Sequence, residues 1–449
     1  MDLTKEKIPK LIRKLAIPAS IGFFFETMYN VVDTFYAGML STVAIAALSL
    51  SFPIFFIMIA IGIGISQGSA SLIANAIGEK NRKKARFCTA QSLSFSAIFS
   101  VMLTLVGLLV SPFLFGILGA SGEYMAMSLE YINIVLWGTI FIFLQMAINS
   151  SLNAQGDMKS FRNILIAQFF INIVLNPLFM FGWFGIPKMG IAGLAIATVA
   201  AEFIGFVYLY WKLSRTKLWQ NAEFKEMIPK ADMYSELSHH GFPASINMLT
   251  VALGIFVITF FVSKFGQNAV AAYGIATRIE QIALLPSIGI STAVLSISGQ
   301  NNGAKLFGRL KETWVKSLKY GILIIIAGGI MVFAFAGFLM RIFTENNEVI
   351  EIGKTYLPIA TLLFPAYIIL FISTSLLQGM KKPMFAVWIG LYRQILALIV
   401  LLPILAFQFG IVGIWWGVFS VNWSAAIFAF FYAERILKKS YPAKRSMPV

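Results

Sequence analysis

The chain alternates long apolar runs with short polar connections. The runs cover residues 15–37, 43–76, 87–111, 125–150, 161–182, 190–211, 241–263, 270–300, 317–340, 352–378, 384–408 and 411–434. Each is near or above the ~20 residues a helix needs to cross a bilayer's hydrocarbon core. The pattern therefore predicts an all-α polytopic membrane protein with twelve transmembrane helices. Composition agrees: of 449 residues 59% are hydrophobic and 12% charged, where a soluble chain carries about 25% charged residues. The first run is long, contains acids and lacks a small-residue cleavage pattern, so it is expected to stay as a helix rather than leave as a signal peptide.

A formal charge of +16 would suggest nucleic acid if it were spread evenly. It is not. Alternate connections, counted from the N-terminus, hold 29 of the 35 Lys and Arg residues. The opposite connections hold four: Lys188, Lys264, Arg341 and Lys354. The positive-inside rule then puts both termini in the cytoplasm and assigns the basic excess to topology in a cell (inner) membrane, with no nucleic-acid partner. Cys88 is the one cysteine, which excludes a disulfide framework and a cysteine metal cluster. The pair His239–His240 lacks partners for a zinc site and reads as a solvated loop end.

The chain is written twice. At an offset of 225 residues, Pro18–Ile21 meets Pro243–Ile246, Gly64–Ser66 meets Gly289–Ser291, and Lys80 meets Lys305. Farther on the offset slips slightly, pairing Gly190 and Gly193 with Gly410 and Gly413. Two six-helix halves follow: an N-terminal lobe at 1–211, a cytoplasmic linker at 212–240, and a C-terminal lobe at 241–449. An even helix number gives both lobes the same orientation, a parallel repeat recurrent among transporters. The run IGIGISQG (61–68) superficially suggests a phosphate loop, but its Gly64–Gly68 spacing inside a span fits close helix packing.

The repeat isolates unusual chemistry in FFFETMYNVVDTFYAG (23–38). Glu26, Asn30 and Asp33 lie over Val251, Ile255 and Ile258 of the second copy, so the fold does not need polar groups there. Acids within a span cost at least ~2.5–3.5 kcal/mol each, which makes a functional role the default. Glu26 and Asp33 share one helical face two turns apart. Such carboxylates can load a proton or, among amide and hydroxyl oxygens, a sodium ion. Tyr29 and Asn30 lie between them. Asn172 and Asn176 of NIVLNP, four apart, are candidates for ion contacts or for interhelical hydrogen bonds. Thr198 and Glu202 are also four apart; Thr198 can bond its own backbone instead, and Glu202 can be solvated at the cytoplasmic interface. Pro18 is a hinge candidate. In the second half Arg278, Glu280 and Arg393 are charged residues in apolar surroundings. Arg278 and Glu280 sit two apart and point to different sides, so each is expected to find another partner.

PASI followed by YNVVDTFYAG, AQGD (154–157), NIVLNP, and GQNNGA (299–304) together resemble the multidrug and toxic compound extrusion (MATE) family over essentially the whole chain. YNVVDT is most similar to its prokaryotic DinF-type branch. The resemblance implies two lobes around a V-shaped cavity and export by alternating access. The expected activity is antiport of small amphipathic, often cationic, organic compounds against H+ or Na+. It matches Asp33 to the family's essential first-helix aspartate, Asn172 to an asparagine of the first-lobe cation site, and Thr198 to a polar position of helix 6. Asn176 stands where relatives often carry aspartate, and Glu26 where the DinF branch commonly has glutamine. Val251 departs from the NorM-type branch, which has an acid in helix 7. Apart from the coupling ion (Na+, if used, at Asp33, Asn172 and Asn176), no cofactor or metal is expected, and the transporter is expected to be a monomer. The alternative is a flippase or exporter of lipid-linked or other amphiphilic metabolites. A membrane-embedded enzyme would need a nucleophile–base pair or paired metal ligands, neither of which the spans contain. A non-transporting sensor ranks lowest, since no large soluble output domain accompanies the spans.

Overall fold

The computed structural model describes residues 2–440, and all regular structure among them is helical. Lys444 and Arg445, counted above with the cytoplasmic charges, lie outside the described residues. The first half folds as α1 (Ile8–Leu40), α2 (Thr42–Gly78), α3 (Arg82–Ile117), α4 (Gly122–Ala154), α5 (Lys159–Phe181) and α6 (Gly190–Ser214). The second half begins with α7 (Ala231–Ser263), α8 (Gln267–Gly303) and α9 (Phe307–Ala334), with the short α10 (Ala336–Arg341) after them. It ends with α11 (Asn347–Thr361), α12 (Phe364–Gly379), α13 (Met384–Leu391) and α14 (Ala397–Ser440).

Ten helices are long and apolar enough to cross a membrane, and α11 with α12 makes an eleventh as a pair bent by 49°. Pro365 opens α12 without an N–H to donate, so the ladder breaks there. The run Met384–Ser440 has 57 residues. At 1.5 Å per residue it would measure about 86 Å, nearly three hydrocarbon thicknesses. It is divided at Gly410, whose φ of 61° and ψ of −145° are not helical, between the two spans expected at 384–408 and 411–434.

The repeat persists in three dimensions. Gly190 and Gly410 share a positive φ, as do Lys80 and Lys305. Gly193 and Gly413 each bring a helix against the backbone of the preceding one: an added Cβ would meet Phe179 in the first half and the Leu405 carbonyl in the second. At Gly64 a Cβ would collide with the Ser245 Oγ and lie 2.7 Å from the Gly241 carbonyl oxygen. At Gly289 it would collide with the Ser20 Oγ and lie 2.8 Å from the Ala16 carbonyl oxygen. All three partner pairs are related by the 225-residue offset. Gly68 also abuts the Gly241 backbone, so the glycine run 61–68 serves helix packing.

These contacts go with a division of the chain into compact units. The described residues divide into two compact units, one made of the chain up to Ser20 together with the chain from Ile246 onward, the other Ile21–Ser245. The chain passes from one to the other after Ser20 and again after Ser245, each two residues beyond the repeated prolines Pro18 and Pro243. Hydropathy alone draws the lobes at 211 and 241, since it shows where helices lie and not which neighbour holds their ends.

The connecting segment 212–240 is bonded to α3. Arg86 on α3 forks onto the Glu226 carboxylate with bonds of 2.8–3.1 Å. Gln91 donates to the Glu226 and Ile228 carbonyls, while its own oxygen accepts from the Lys230 N–H. His240 lies within α7 and is buried, contrary to the loop-end reading; its neighbour His239 is exposed.

Within Ile21–Ser245, α4 packs against α2, α3 and α6, and α6 against α5. In the other unit α8 packs against α9, α11 and α12, and α12 against α14. The N-terminal segment is tied down there: Arg309 donates to the Leu3 and Glu6 carbonyls and Asn301 to that of Leu3.

Candidate functional site

Three helices of Ile21–Ser245 bring the sequence-derived candidates together. Asn172 and Asn176 project from one face of α5, one turn apart. Pro177 follows them and has no N–H for the Ile173 carbonyl one turn back. That free carbonyl accepts the Tyr36 hydroxyl of α1 at 3.0 Å. Tyr36 is three residues beyond Asp33, so this bond helps hold the aspartate's turn of α1 against α5.

Asp33 is 6% exposed. Its Oδ1 accepts the Asn172 amide at 2.9 Å and the Asn176 amide at 3.0 Å. Asn176 Nδ2 also donates to Asn172 Oδ1 at 3.0 Å, which fixes the two amides relative to each other. Thr198 on α6 is 3.4 Å from Oδ2 and 3.1 Å from the Leu194 carbonyl, so its hydroxyl is shared between carboxylate and backbone. Every hydrogen bond to the Asp33 side chain thus comes from an uncharged group. Buried Asn176 Oδ1 has no partner, and Asp33 Oδ2 has only the long contact to Thr198. A carboxylate oxygen and an amide oxygen with unused acceptor capacity, both buried, fit a small bound cation. Among the described residues no group of three or more His, Cys, Asp or Glu is placed to hold a metal.

The other candidates are dispersed. Glu26, two turns before Asp33, is exposed, and Asn30 turns back to donate to the Glu26 carbonyl at 3.0 Å. The Tyr29 hydroxyl is buried without a partner. Glu202 is part-buried and accepts the Gln145 amide from α4. Gln145 and Gln168, absent from the sequence-derived set, belong to this polar region. They could have been found by spacing: Gln168, Asn172 and Asn176 form one four-residue stripe, and Gln145, Asn149 and Asn153 another.

In the second unit Glu280 is buried and accepts the Tyr356 hydroxyl at 3.0 Å. Arg393 lies in a π-helical turn at Tyr392–Leu396, donates to Asn422 at 3.1 Å and sits 5.8 Å from the centre of the Tyr367 ring. Arg278 is exposed. Among the described residues no ion pair joins Arg278 to Glu280, whose carboxylate is taken by Tyr356.

Comparison with known proteins converges on one family. The MatE family model matches residues 18–178 and 243–404, one match in each half. The probable multidrug resistance protein YoeA of Bacillus subtilis is 29% identical over 369 residues, covering 79% of this chain and 78% of the relative. The probable multidrug resistance protein NorM of Thermotoga maritima is 28% identical over 428 residues, covering 92% and 90%. A solved multidrug resistance MATE transporter of the MOP superfamily in an outward-facing conformation superimposes with a TM-score of 0.91 at 24% identity, over 98% of each chain. The chain belongs to the MatE family of multi-pass membrane transporters.

Proposed function

We propose that the protein is a cation-coupled antiporter that exports amphipathic, often cationic, organic compounds by alternating access. It would reside in the cell (inner) membrane with both termini cytoplasmic. The observation that carries the reading is the buried Asp33 carboxylate held only by the uncharged donors Asn172, Asn176 and Thr198. Loading a proton or sodium ion neutralises it and changes what its polar shell must satisfy; unloading restores the anion. One charge alternating in a buried site is enough to link an ion gradient to substrate release. The names of the two bacterial relatives, each printed as a probable multidrug resistance protein, support organic compounds as cargo. The concentration of basic residues in alternate connections supports the orientation.

Dye efflux from everted vesicles, driven in turn by a proton gradient and by a sodium gradient, tests the proposal. One gradient should drive uphill transport and the other should not. Transport indifferent to both would refute cation coupling.

A further inference from the structure

The two sides of α6 face different surroundings. Thr198, Ala201, Gly205 and Leu209 are buried, and Thr198 reaches Asp33. On the other side Phe203, Val207 and Trp211 recur every four residues, and with Ile204 they are 40–48% exposed. Together with Tyr208 these four line a groove of about 380 Å³. From Phe203 to Trp211 it extends about 12 Å at 1.5 Å per residue. One leaflet of a ~30 Å hydrocarbon core is about 15 Å deep, so the groove fits a single leaflet. With both termini cytoplasmic, as proposed, α6 ends on the cytoplasmic side. The Trp211 end of the groove then lies at that leaflet's headgroups.

Two cations stand at that end. Lys212 Nζ lies 4.6 Å from the centre of the Trp211 ring and 5.5 Å from that of Tyr208. The Arg215 guanidinium lies 4.7 Å from the Trp211 ring. Trp211 is thus both a wall of the groove and the platform for both charges. Among the described residues neither cation meets a carboxylate. The last turn of a helix and an aromatic face both favour cations, but neither supplies a counter-anion.

The second copy shows that folding does not need this pair. At the offset that joins Gly190 to Gly410, Trp211 and Lys212 become Phe431 and Tyr432, while Arg215 is matched by Arg435. Phe431 is exposed like Trp211, but Tyr432 stacks on Phe385 with ring centres 4.8 Å apart. A packed ring stands where α6 carries a charge, so the doubled charge is particular to the first half. Lipid tails are as apolar as the groove, and packing alone would select no lipid over another. A phosphate can, because it accepts charge-assisted hydrogen bonds from Lys212 and Arg215 together.

We propose that the outer face of α6 is a binding site for an anionic phospholipid of the cytoplasmic leaflet. An acyl chain lies along Phe203, Ile204 and Val207, and the phosphate sits on Lys212 and Arg215. The bound lipid covers the outside of the helix whose inner face presents Thr198 to Asp33.

Native mass spectrometry of the full-length protein, titrated with lipid in detergent micelles, measures the dissociation constant of the first bound lipid. No ion gradient is present, so the result is independent of coupling. The probes are phosphatidylglycerol and phosphatidylcholine with identical chains. Each cation is worth about fivefold at an anionic headgroup, so the wild-type protein should favour phosphatidylglycerol by about 25-fold. Lys212→Gln combined with Arg215→Gln should bring that ratio close to one. Val207→Trp narrows the groove at an exposed position and should weaken both lipids while keeping their ratio. Lys217→Gln removes an exposed charge outside the groove and should leave the ratio unchanged. Thermal unfolding of each variant identifies a misfolded one. A wild-type ratio near one, or a ratio unchanged in the double variant, would overturn the proposal. So would a ratio lowered as far by Lys217→Gln, which would mean diffuse attraction, or Val207→Trp with both affinities unchanged. Displacement of phosphatidylglycerol by inorganic phosphate at constant ionic strength would also overturn it, by assigning the two cations to a soluble anion.

Discussion

Asp33→Asn separates coupling from folding more cleanly than any other substitution in this chain. The asparagine oxygen can still accept from Asn172 and Asn176, at positions now 2.9 and 3.0 Å from Oδ1. Its amide replaces Oδ2 beside the Thr198 hydroxyl, which can accept as well as donate. Changing two charge-assisted bonds into neutral ones weakens each by about 1 kcal/mol. Against this, an ionised group is no longer buried, which removes a cost of at least ~2.5–3.5 kcal/mol. The variant should therefore insert and fold with stability equal to the wild type or about 1 kcal/mol higher. Transport should behave very differently. An ion gradient equivalent to 100 mV supplies about 2.3 kcal/mol per charge, enough for roughly 40-fold accumulation of substrate at 1.4 kcal/mol per tenfold. The variant should reach no accumulation, with the internal and external substrate equal at steady state. The assay is steady-state dye distribution in proteoliposomes of matched protein content, with thermal unfolding of the same preparations. Uphill accumulation by a well-folded Asp33→Asn protein would refute coupling at this residue and move the search to Glu26.

The equivalence of the two glycine contacts predicts that Gly64→Ala and Gly289→Ala each cost roughly 1–3 kcal/mol from overpacking; thermal unfolding that moves for one and not the other would break it. With Cys88 replaced by Ser, cysteines at Asp2 and Lys80 should be shielded from an impermeant maleimide on intact cells, and one at Lys188 should react. External labelling at Asp2 would overturn the assigned topology. Glu280→Gln keeps an oxygen for the Tyr356 hydroxyl and should retain gradient-driven efflux when it expresses normally. Normal expression with efflux abolished would give Glu280 a part in coupling.

The sequence made the helix number, the duplication and the core of the site legible, for related reasons. A membrane forces apolar runs of minimum length, and a duplicated chain provides its own control for which polar residues the fold requires. Asp33, Asn172 and Asn176 stood out because charge and clustered amides are conspicuous in such runs. Gln145, Gln168 and Asn149 were not recognised, since an isolated uncharged amide costs little and its importance depends on helix rotation. The unit boundaries were hidden as well. Helix ends at Ser20 and Ser245 are continuous in hydropathy, and only the close approaches at Gly64 and Gly289 show which neighbours hold them. The segment 212–240 read as a linker because it is polar, whereas Arg86 and Gln91 use that polarity to fasten it to α3.

Asp33 and its copy in the second half occupy equally buried positions. Ile258 occupies the equivalent position in α7 and is 7% exposed, against 6% for Asp33. Equal burial at both positions shows that the repeat's packing, not the side chain's polarity, sets the environment. Isoleucine at such a site gains its full transfer energy, whereas an ionised aspartate loses at least ~2.5–3.5 kcal/mol before its hydrogen bonds are counted. The amides of Asn172 and Asn176 return part of that loss, yet they add polar groups that an aliphatic site would not need to satisfy. Folding alone would favour the solution found in α7. The first half keeps the costlier arrangement, and a carboxylate that gains and loses charge within a fixed cage is a use that isoleucine cannot serve.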